Sequence, residues 1–134
     1  MHAYGCNHPP VNLVGISEHF RDTAVGTLPQ VAFVDPAFRG AAENEEHPPT
    51  NVQVGEELVD SVVGAFAQCP NWSWGALFLT YDEHGSSFDQ VPRPVAFVPD
   101  DLPPQLNPGD VVAAFDHSGI RVPLVAVLPF ARKH

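Results

Sequence analysis

Three consecutive ionisable residues, Asp82, Glu83 and His84, carry the clearest chemical signal in this chain. They follow an apolar run, 75–79, whose length and content predict a buried strand. In open α/β sheets, ligands bind at the carboxyl ends of the strands, so ionisable groups placed there are candidates to hold a metal ion or move a proton. The residues leave a second interpretation open, in which the acidic side chains only keep a loop solvated.

Two carboxylates on adjacent residues reach one cation only where the backbone leaves strand geometry, because neighbours along a strand point to opposite faces. Gly85 directly follows these residues and permits such a bend. Carboxylate oxygens suit Ca²⁺, Mg²⁺ or Mn²⁺, and with a histidine also Zn²⁺ or iron. Asp82 and Glu83 are therefore a candidate cation site.

Two further histidines lie in loops. His47 precedes Pro48-Pro49, which favours a fixed, extended backbone suited to aiming a side chain, although a solvated surface histidine is the alternative. For His117 an exposed loop position is the favoured interpretation. Asp35, which ends a short apolar run, either orients a ligand or caps a turn.

The elements that position these groups follow from the sequence pattern. We expect a short helix over 16–26 with Ser17 as its N-cap, a strand over 31–34, a polar loop over 37–49 and a helix from Thr50 to Pro70. Thr50 and Gln53 fit a capping box. With the strand at 75–79 this order predicts a right-handed βαβ unit, which would bring His47 close to Asp82. An extended piece over 95–98 and a third strand over 122–128 complete the prediction.

Composition limits the classes of function. The chain has 134 residues, of which 44% are hydrophobic, enough for one domain with a core. Its net charge of -10 argues against nucleic acid or an anionic membrane surface as the main partner. No run approaches the length of a membrane span, and the N-terminus lacks the regions of a signal peptide. Cys6 and Cys69 give neither a metal spacing nor a disulfide framework.

Several segments resemble one protein family. Thr80-Tyr81-Asp82-Glu83-His84-Gly85, followed by Phe88-Asp89-Gln90-Val91-Pro92, is similar to the phosphoesterases that include bacterial phospholipases C and acid phosphatases. The resemblance runs from about residue 15 to residue 132, and other segments match in the same order: 28–36, Glu46-His47-Pro48-Pro49, Pro70-Asn71-Trp72-Ser73, 119–123 and 128–132.

The resemblance implies a fold and an activity. The fold is α/β, part of an alkaline-phosphatase-like three-layer architecture with a mostly parallel sheet. The activity is metal-dependent hydrolysis of phosphate esters or phospholipid head groups, with a divalent metal ion as cofactor and no stable membrane insertion. Asp82 and Glu83 would be metal ligands, His47 a phosphate contact and His84 a second catalytic candidate. Relatives of this type are often secreted or periplasmic.

The chain also departs from the family pattern. Ser86 replaces a glycine, Gln90 a histidine and Glu46 an aspartate, and the family's upstream Glu-Asn pair and Ser or Thr nucleophile have no match. We therefore interpret residues 1–134 as a single partial domain, the C-terminal half of the family fold. The chain alone is then expected to be a poor catalyst with exposed apolar faces. The alternative function is a non-catalytic remnant that keeps the fold without the nucleophile. A third class, a carbohydrate-binding or peptide-binding module, would need an exposed aromatic surface. The sequence offers none, because Trp72 and Trp74 flank the start of a strand and are expected to pack there.

Overall fold

The computed structural model describes residues 12–85, 88–112 and 114–132. In that part of the chain the regular elements are two helices, one short 3₁₀ turn and two strands. They follow the order α1 (Ile16–Val25), α2 (Val52–Ala67), the 3₁₀ turn (Trp72–Trp74), β1 (Leu77–Thr80) and β2 (Leu124–Val127). The chain forms two compact units, of which the first comprises Met1–Leu79 with Val125–His134 and the second Thr80–Leu124.

Helix α1 begins at Ile16 and ends before Gly26, as the sequence predicted. Gly26 closes it with a φ of 76°, a conformation that glycine adopts without strain, and the amide of Thr27 bonds to the carbonyl oxygen of Asp22 at 2.9 Å. The N-cap is Gly15, so the prediction that Ser17 caps this helix is wrong. Ser17 lies inside the first turn, where its backbone is already helical.

Helix α2 is the longest element, and its cap also differs from the prediction. The N-cap is Asn51, whose side-chain oxygen accepts the amide of Gln53 at 3.1 Å, so the capping box of Thr50 and Gln53 does not form. The Thr50 hydroxyl donates instead to carboxylates of the preceding loop. The apolar stripe of this helix is half-buried, as its spacing predicted: Leu58, Val59, Val62, Val63 and Phe66.

The chain leaves α2 through a short, well-packed connection. Phe66 and Trp72 pack edge to face with ring centroids 5.3 Å apart, and Gly75 lies so close to the Phe66 ring that a Cβ there would come within 2.9 Å of it. Asn71 donates through Nδ2 to the carbonyl oxygen of Gly26 at 3.1 Å. This bond joins the end of α1 to the turn before β1. Cys69 beside it is buried.

The two strands pair with each other in a small antiparallel sheet. Strand β2 lies within the predicted range 122–128, and β1 overlaps the predicted range 75–79 but extends to Thr80, so the α/β class is confirmed. The sequence predicted a mostly parallel sheet, whereas this pair of described strands is antiparallel. The predicted strand over 31–34 is wrong, because that segment pairs with no strand among the described residues and exposes 71% of Val31 and 91% of Phe33. The predicted βαβ unit therefore lacks its first strand here.

The second unit is built mainly from loops. Val95 and His117 form an antiparallel bridge. The amide of Ala96 donates to the carbonyl oxygen of Asp116 at 2.8 Å, and the amide of Ser118 donates to the carbonyl oxygen of Pro94 at 3.0 Å. The extended piece predicted over 95–98 is thus confirmed at its start. Prolines at 92, 94 and 99 restrict the length of this ladder, since proline has no amide to donate.

Large apolar side chains remain exposed on the chain. Within the ranges that the structure describes, Cys69 is the single hydrophobic residue that is fully buried, and Leu124 in β2 is 67% exposed. The exposed apolar faces expected for the segments at 31–34 and 122–128 are present. Among the described helices none has the length and hydropathy to cross a membrane.

Candidate functional site

The loop before α2 is organised by a buried carboxylate. Glu45 is 7% exposed, and its two oxygens accept different donors: Oε2 takes the backbone amide of His47, and Oε1 takes the hydroxyl of Thr50. The same hydroxyl also lies 2.9 Å from Oε1 of Glu43. A hydroxyl has one hydrogen, so Thr50 donates to one of the two carboxylates at a time. Glu45 is therefore a structural group that fixes the backbone at His47.

Glu46 lies against the first turn of α2. Gly55 is buried there, and a Cβ at that position would come within 2.2 Å of Cγ and 2.9 Å of Oε1 of Glu46. The positive end of the helix dipole favours a carboxylate at this place. The acidic run that precedes His47 is thus used to hold the loop against the helix.

His47 itself is exposed at the surface of this loop. Its Nδ1 lies 2.8 Å from the carbonyl oxygen of Pro48, and the Pro48-Pro49 peptide bond is cis. A carbonyl oxygen can only accept, so Nδ1 carries the proton, and in the neutral ring Nε2 presents a lone pair. The His47 amide bonds to Glu45 and its ring contacts the carbonyl oxygen of Pro48, so two hydrogen bonds position this residue in the loop.

The three residues after β1 lie in a bend of the second unit. Gly85 has a φ of 61°, and its amide donates to Oε2 of Glu83 at 2.8 Å, so the predicted departure from strand geometry occurs here. The same oxygen lies 3.2 Å from Nδ1 of His84, which is about one-third exposed. Asp82 is exposed beside them. The structure thus brings Glu83 and His84 into contact and leaves the neighbouring carboxylate open to solvent.

Both ends of this bend are tied to the same stretch of chain. At its start, the Thr80 hydroxyl donates to the carbonyl oxygen of Pro123 at 3.2 Å. After it, the Asp89 carboxylate accepts two N–H groups of Arg121, from Nε at 2.9 Å and from Nη2 at 2.8 Å, and the amide of Val91 at 2.9 Å. Thr80 and Asp89, which flank the bend, therefore both bond to residues within 121–123.

The ion pair changes the acidity of Asp89. The hydrogen bonds from Arg121, followed by the one from the Val91 amide, lower the pKa of Asp89 from 3.8 to about 2. Arg121 is the partner expected for a carboxylate in a two-pronged geometry, because its planar guanidinium matches the two oxygens. Asp89 therefore stays ionised over the whole physiological range.

A second histidine has an acidic neighbour as its partner. Nδ1 of His117 lies 2.8 Å from Oδ1 of Asp116, and this hydrogen bond lowers the pKa of Asp116. His117 is exposed, as predicted, and lines a shallow cavity of about 370 Å³ together with Asp89, Val91, Pro92, Arg93 and Ile120. Neither Asp82 nor Glu83 is among these lining residues.

The described residues contain no large cluster of metal-ligating side chains. Within the described ranges, no group of three or more His, Cys, Asp or Glu side chains is placed to hold a metal ion. His47 belongs to the first compact unit and Asp82 to the second, so their proximity stays a prediction. Ser86 and Ser87 lie outside the described residues.

Sequence reasoning missed three structural groups in these loops. The contact between Asp89 and Arg121 joins residues 32 positions apart, and each stands in a segment that carried the family resemblance, although nothing in a single sequence pairs them. The buried role of Glu45 was missed for a similar reason, because an acidic run predicts exposure. A threonine five residues after Glu45 was the available signal.

Comparison with known proteins agrees with the resemblance. The family model for the phosphoesterase family matches residues 6–134. Non-specific phospholipase C6 of Arabidopsis thaliana is 35% identical over 118 residues, which are 84% of this chain and 22% of that protein. Phospholipase C B of Mycobacterium tuberculosis is 30% identical over 126 residues, 83% of this chain and 22% of that protein.

A third relative is the non-hemolytic phospholipase C of Burkholderia pseudomallei, 38% identical over 77 residues, 57% of this chain and 10% of that protein. This chain thus spans about a fifth of the length of the first two relatives. The match of the family model over nearly the whole chain, together with these identities, shows that the chain belongs to the phosphoesterase family.

Proposed function

We propose that the protein hydrolyses phosphate esters of the phospholipid head-group type and that the bend after β1 supplies the acidic side of its site. The observation that supports this most is the arrangement of Asp82, Glu83 and His84, in which a strand end presents an open carboxylate beside a contacting carboxylate–imidazole pair. Relatives named as phospholipases C support the class of substrate. We also propose that the α/β unit belongs to an alkaline-phosphatase-like three-layer fold.

We assign a divalent cation to Asp82 and Glu83. Mg²⁺ is commonly held by one or two carboxylates, with water and substrate phosphate completing its shell, so a pair of carboxylates fits that ion without a third protein ligand. A carboxylate has about four lone-pair sites, so Glu83 can bind a cation while Oε2 accepts Gly85 and contacts His84. The cation would offset negative charge on the phosphate, which a chain of net charge -10 otherwise repels.

His84 is placed to protonate the leaving oxygen. Its Nδ1 faces the Glu83 carboxylate at 3.2 Å, which directs Nε2 away from Glu83. As water, or a nucleophile outside the described residues, forms the new bond to phosphorus, the bond to the leaving oxygen breaks, and Nε2 would donate its proton to that oxygen. The carboxylate partner therefore holds the ring in this orientation.

His47 would contact the phosphate itself. In its protonated form the ring keeps the Nδ1 hydrogen bond to Pro48 and gains an N–H at Nε2, which can donate to a phosphate oxygen. This role requires His47 to lie near the bend after β1 in the active protein.

The adjacent hydroxyl of Thr80 does not fit the role of nucleophile. It donates to the carbonyl oxygen of Pro123, an arrangement that removes no proton from it. The alternative is a non-catalytic domain that keeps the fold without the nucleophile. The experiment below distinguishes it from an enzyme, because the described contacts include no activated hydroxyl.

Two substrates with different leaving groups test the proposal. The purified protein is assayed with Mg²⁺, Mn²⁺, Ca²⁺ or Zn²⁺ on phosphatidylcholine, which releases an alkoxide, and on p-nitrophenyl phosphorylcholine, which releases a phenolate that needs no proton. We expect His84→Gln to lower kcat on phosphatidylcholine about 100-fold and to change the p-nitrophenyl reaction much less.

His117→Gln is the matched control, because His117 also contacts the acidic residue before it. We expect it to leave both reactions unchanged. Turnover that is absent on both substrates with every metal ion would contradict the enzyme and support the non-catalytic alternative. Equal losses on both substrates would contradict the assignment of His84 as the acid.

A further inference from the structure

We propose that Asp89 and Arg121 are positioning residues that hold Asp82 and Glu83 in the geometry of the cation site. This inference rests on the proposed function and adds to it two residues that touch neither substrate nor metal. It concerns the second unit alone, in which all four residues lie. The bend that carries the two carboxylates lies between Thr80 and Asp89 in the chain. Contacts that fix the positions of Thr80 and Asp89 therefore limit the positions that the two carboxylates can take.

The contact at Asp89 is much better formed than an ordinary surface ion pair. Three N–H groups converge on its two oxygens: Oδ1 accepts Val91 and Nη2 of Arg121, and Oδ2 accepts Nε of Arg121. The Asp89 side chain is 12% exposed. Isolated surface pairs contribute little, but a two-pronged pair of an arginine with a shielded carboxylate is the geometry that does contribute.

The same geometry makes Asp89 a poor candidate for a ligand or an acid. Its oxygens are already engaged by three donors, and the lowered pKa of this carboxyl keeps it from carrying a proton. A group in this state can hold the chain but has little capacity left for a metal ion or substrate. Its function is then to place other residues.

Arg121 lies two residues from Pro123, whose carbonyl oxygen accepts the Thr80 hydroxyl. The segment from Thr80 to Asp89 is thus anchored at both ends to one short stretch of chain. Closing a loop at both ends reduces the conformations available to the residues between them. Two carboxylates held in this way lose less freedom when they bind a cation, which raises the affinity of the site.

The test uses the full protein and substitutions that remove the ion pair without removing bulk. Arg121→Gln, Asp89→Asn and the double variant are compared with wild type, first by hydrogen exchange of the amides in 81–91 and second by calorimetric titration with Mn²⁺. We expect each single variant to exchange about tenfold faster in that segment and to bind Mn²⁺ about tenfold more weakly. The double variant should match the singles, because the two residues act as one unit.

Arg21→Gln is the matched control, since Arg21 also pairs with carboxylates but on the exposed surface of α1. It should change neither measurement. If Arg121→Gln fails to fold, Arg121→Lys serves instead, because it keeps the charge and loses one of the two prongs. We expect it to give a smaller change in the same direction.

The outcomes separate this inference from the proposed function. A wild type that binds no Mn²⁺ overturns the cation site, and the inference with it. If wild type binds Mn²⁺ and Arg121→Gln binds it with equal affinity, the positioning role alone is overturned, whatever the hydrogen-exchange rates. Losses in the double variant that multiply those of the singles would show that the residues act independently and would also overturn it.

Discussion

The two acidic loops of this protein use the same residue type in opposite ways. In the loop before α2, the carboxylate of Glu45 is buried and accepts donors from its own loop, and Glu46 packs on Gly55. In the bend after β1, Asp82 and Glu83 are exposed, and Glu83 accepts the amide of Gly85. The flanking residues Thr80 and Asp89 contact a distant part of the chain.

The difference shows how structural and chemical carboxylates can be told apart. A carboxylate whose two oxygens both accept donors within the protein is committed to the fold. A carboxylate left at the surface, while neighbouring residues hold the backbone, is available for a ligand. We therefore expect substitutions in the first loop to affect stability and those in the bend to affect chemistry.

The largest effect is expected in the bend. Glu83→Gln should lower kcat/KM on phosphatidylcholine about 100-fold or more, because the variant loses a charge next to both the proposed cation and His84. The free energy of unfolding should change by less than about 0.5 kcal/mol, since the side chain is exposed. Steady-state kinetics and urea unfolding of the same preparation measure the two quantities. A large loss of stability with unchanged kinetics would reverse the comparison.

The opposite result is expected at the buried carboxylate of the first loop. Glu45→Gln should lower the free energy of unfolding by about 2 kcal/mol, because an amide offers one acceptor where the amide of His47 and the hydroxyl of Thr50 need two. Urea unfolding measures this loss. Glu57→Gln, at an exposed position of α2, is the control and should have little effect. Equal stabilities of the two variants would show that Glu45 does not organise its loop.

Two glycines of α2 give a finer test of the first loop. Gly64→Ala should stabilise the protein by about 1 kcal/mol, the usual gain in a helix interior, because a Cβ there meets nothing within 4 Å. Gly55→Ala should lack this gain, since the new methyl group would displace Glu46. Thermal or urea unfolding of the two variants gives the difference. An equal gain at both positions would mean that Glu46 is not held against the helix.

The smallest effect is the pH dependence at the end of the bend. The pKa of Asp89 is lowered from 3.8 to about 2 in the folded protein, so its ion pair stabilises the fold above pH 3.8 and this contribution is lost as the pH falls towards 2. Urea unfolding between pH 5 and pH 2 should therefore show a shallower loss of stability for Asp89→Asn than for wild type. Parallel pH profiles of the two proteins would contradict this assignment.

The sequence predicted the elements with strong local patterns and missed those that depend on distant partners. The stripe of α2, the glycine that ends α1 and the bend at Gly85 follow from spacing and backbone freedom, which neighbours in the chain decide. The segment at 31–34 has the content of a strand, but a strand also needs a partner, and no local pattern reports one.

The site shows the same division. Asp82, Glu83 and His84 were predicted as site candidates because they are adjacent and follow a strand, and the contact between Glu83 and His84 needs no distant residue. The pairing of Asp89 with Arg121 and the burial of Glu45 depend on how loops fold back, which residue type alone does not specify. An acidic residue in a polar run predicts a solvated side chain, and at Glu45 a pair of local donors outweighs that tendency.

Calorimetric titration of Asp82→Asn with Mn²⁺ tests the central claim most directly, because Asp82 is the exposed carboxylate of the bend. The control is Asp101→Asn, an exposed aspartate of the same unit. We expect wild type and Asp101→Asn to bind one Mn²⁺ with equal affinity and Asp82→Asn to bind at least about tenfold more weakly. Equal affinity and stoichiometry in all three proteins would show that the carboxylates after β1 do not form the cation site.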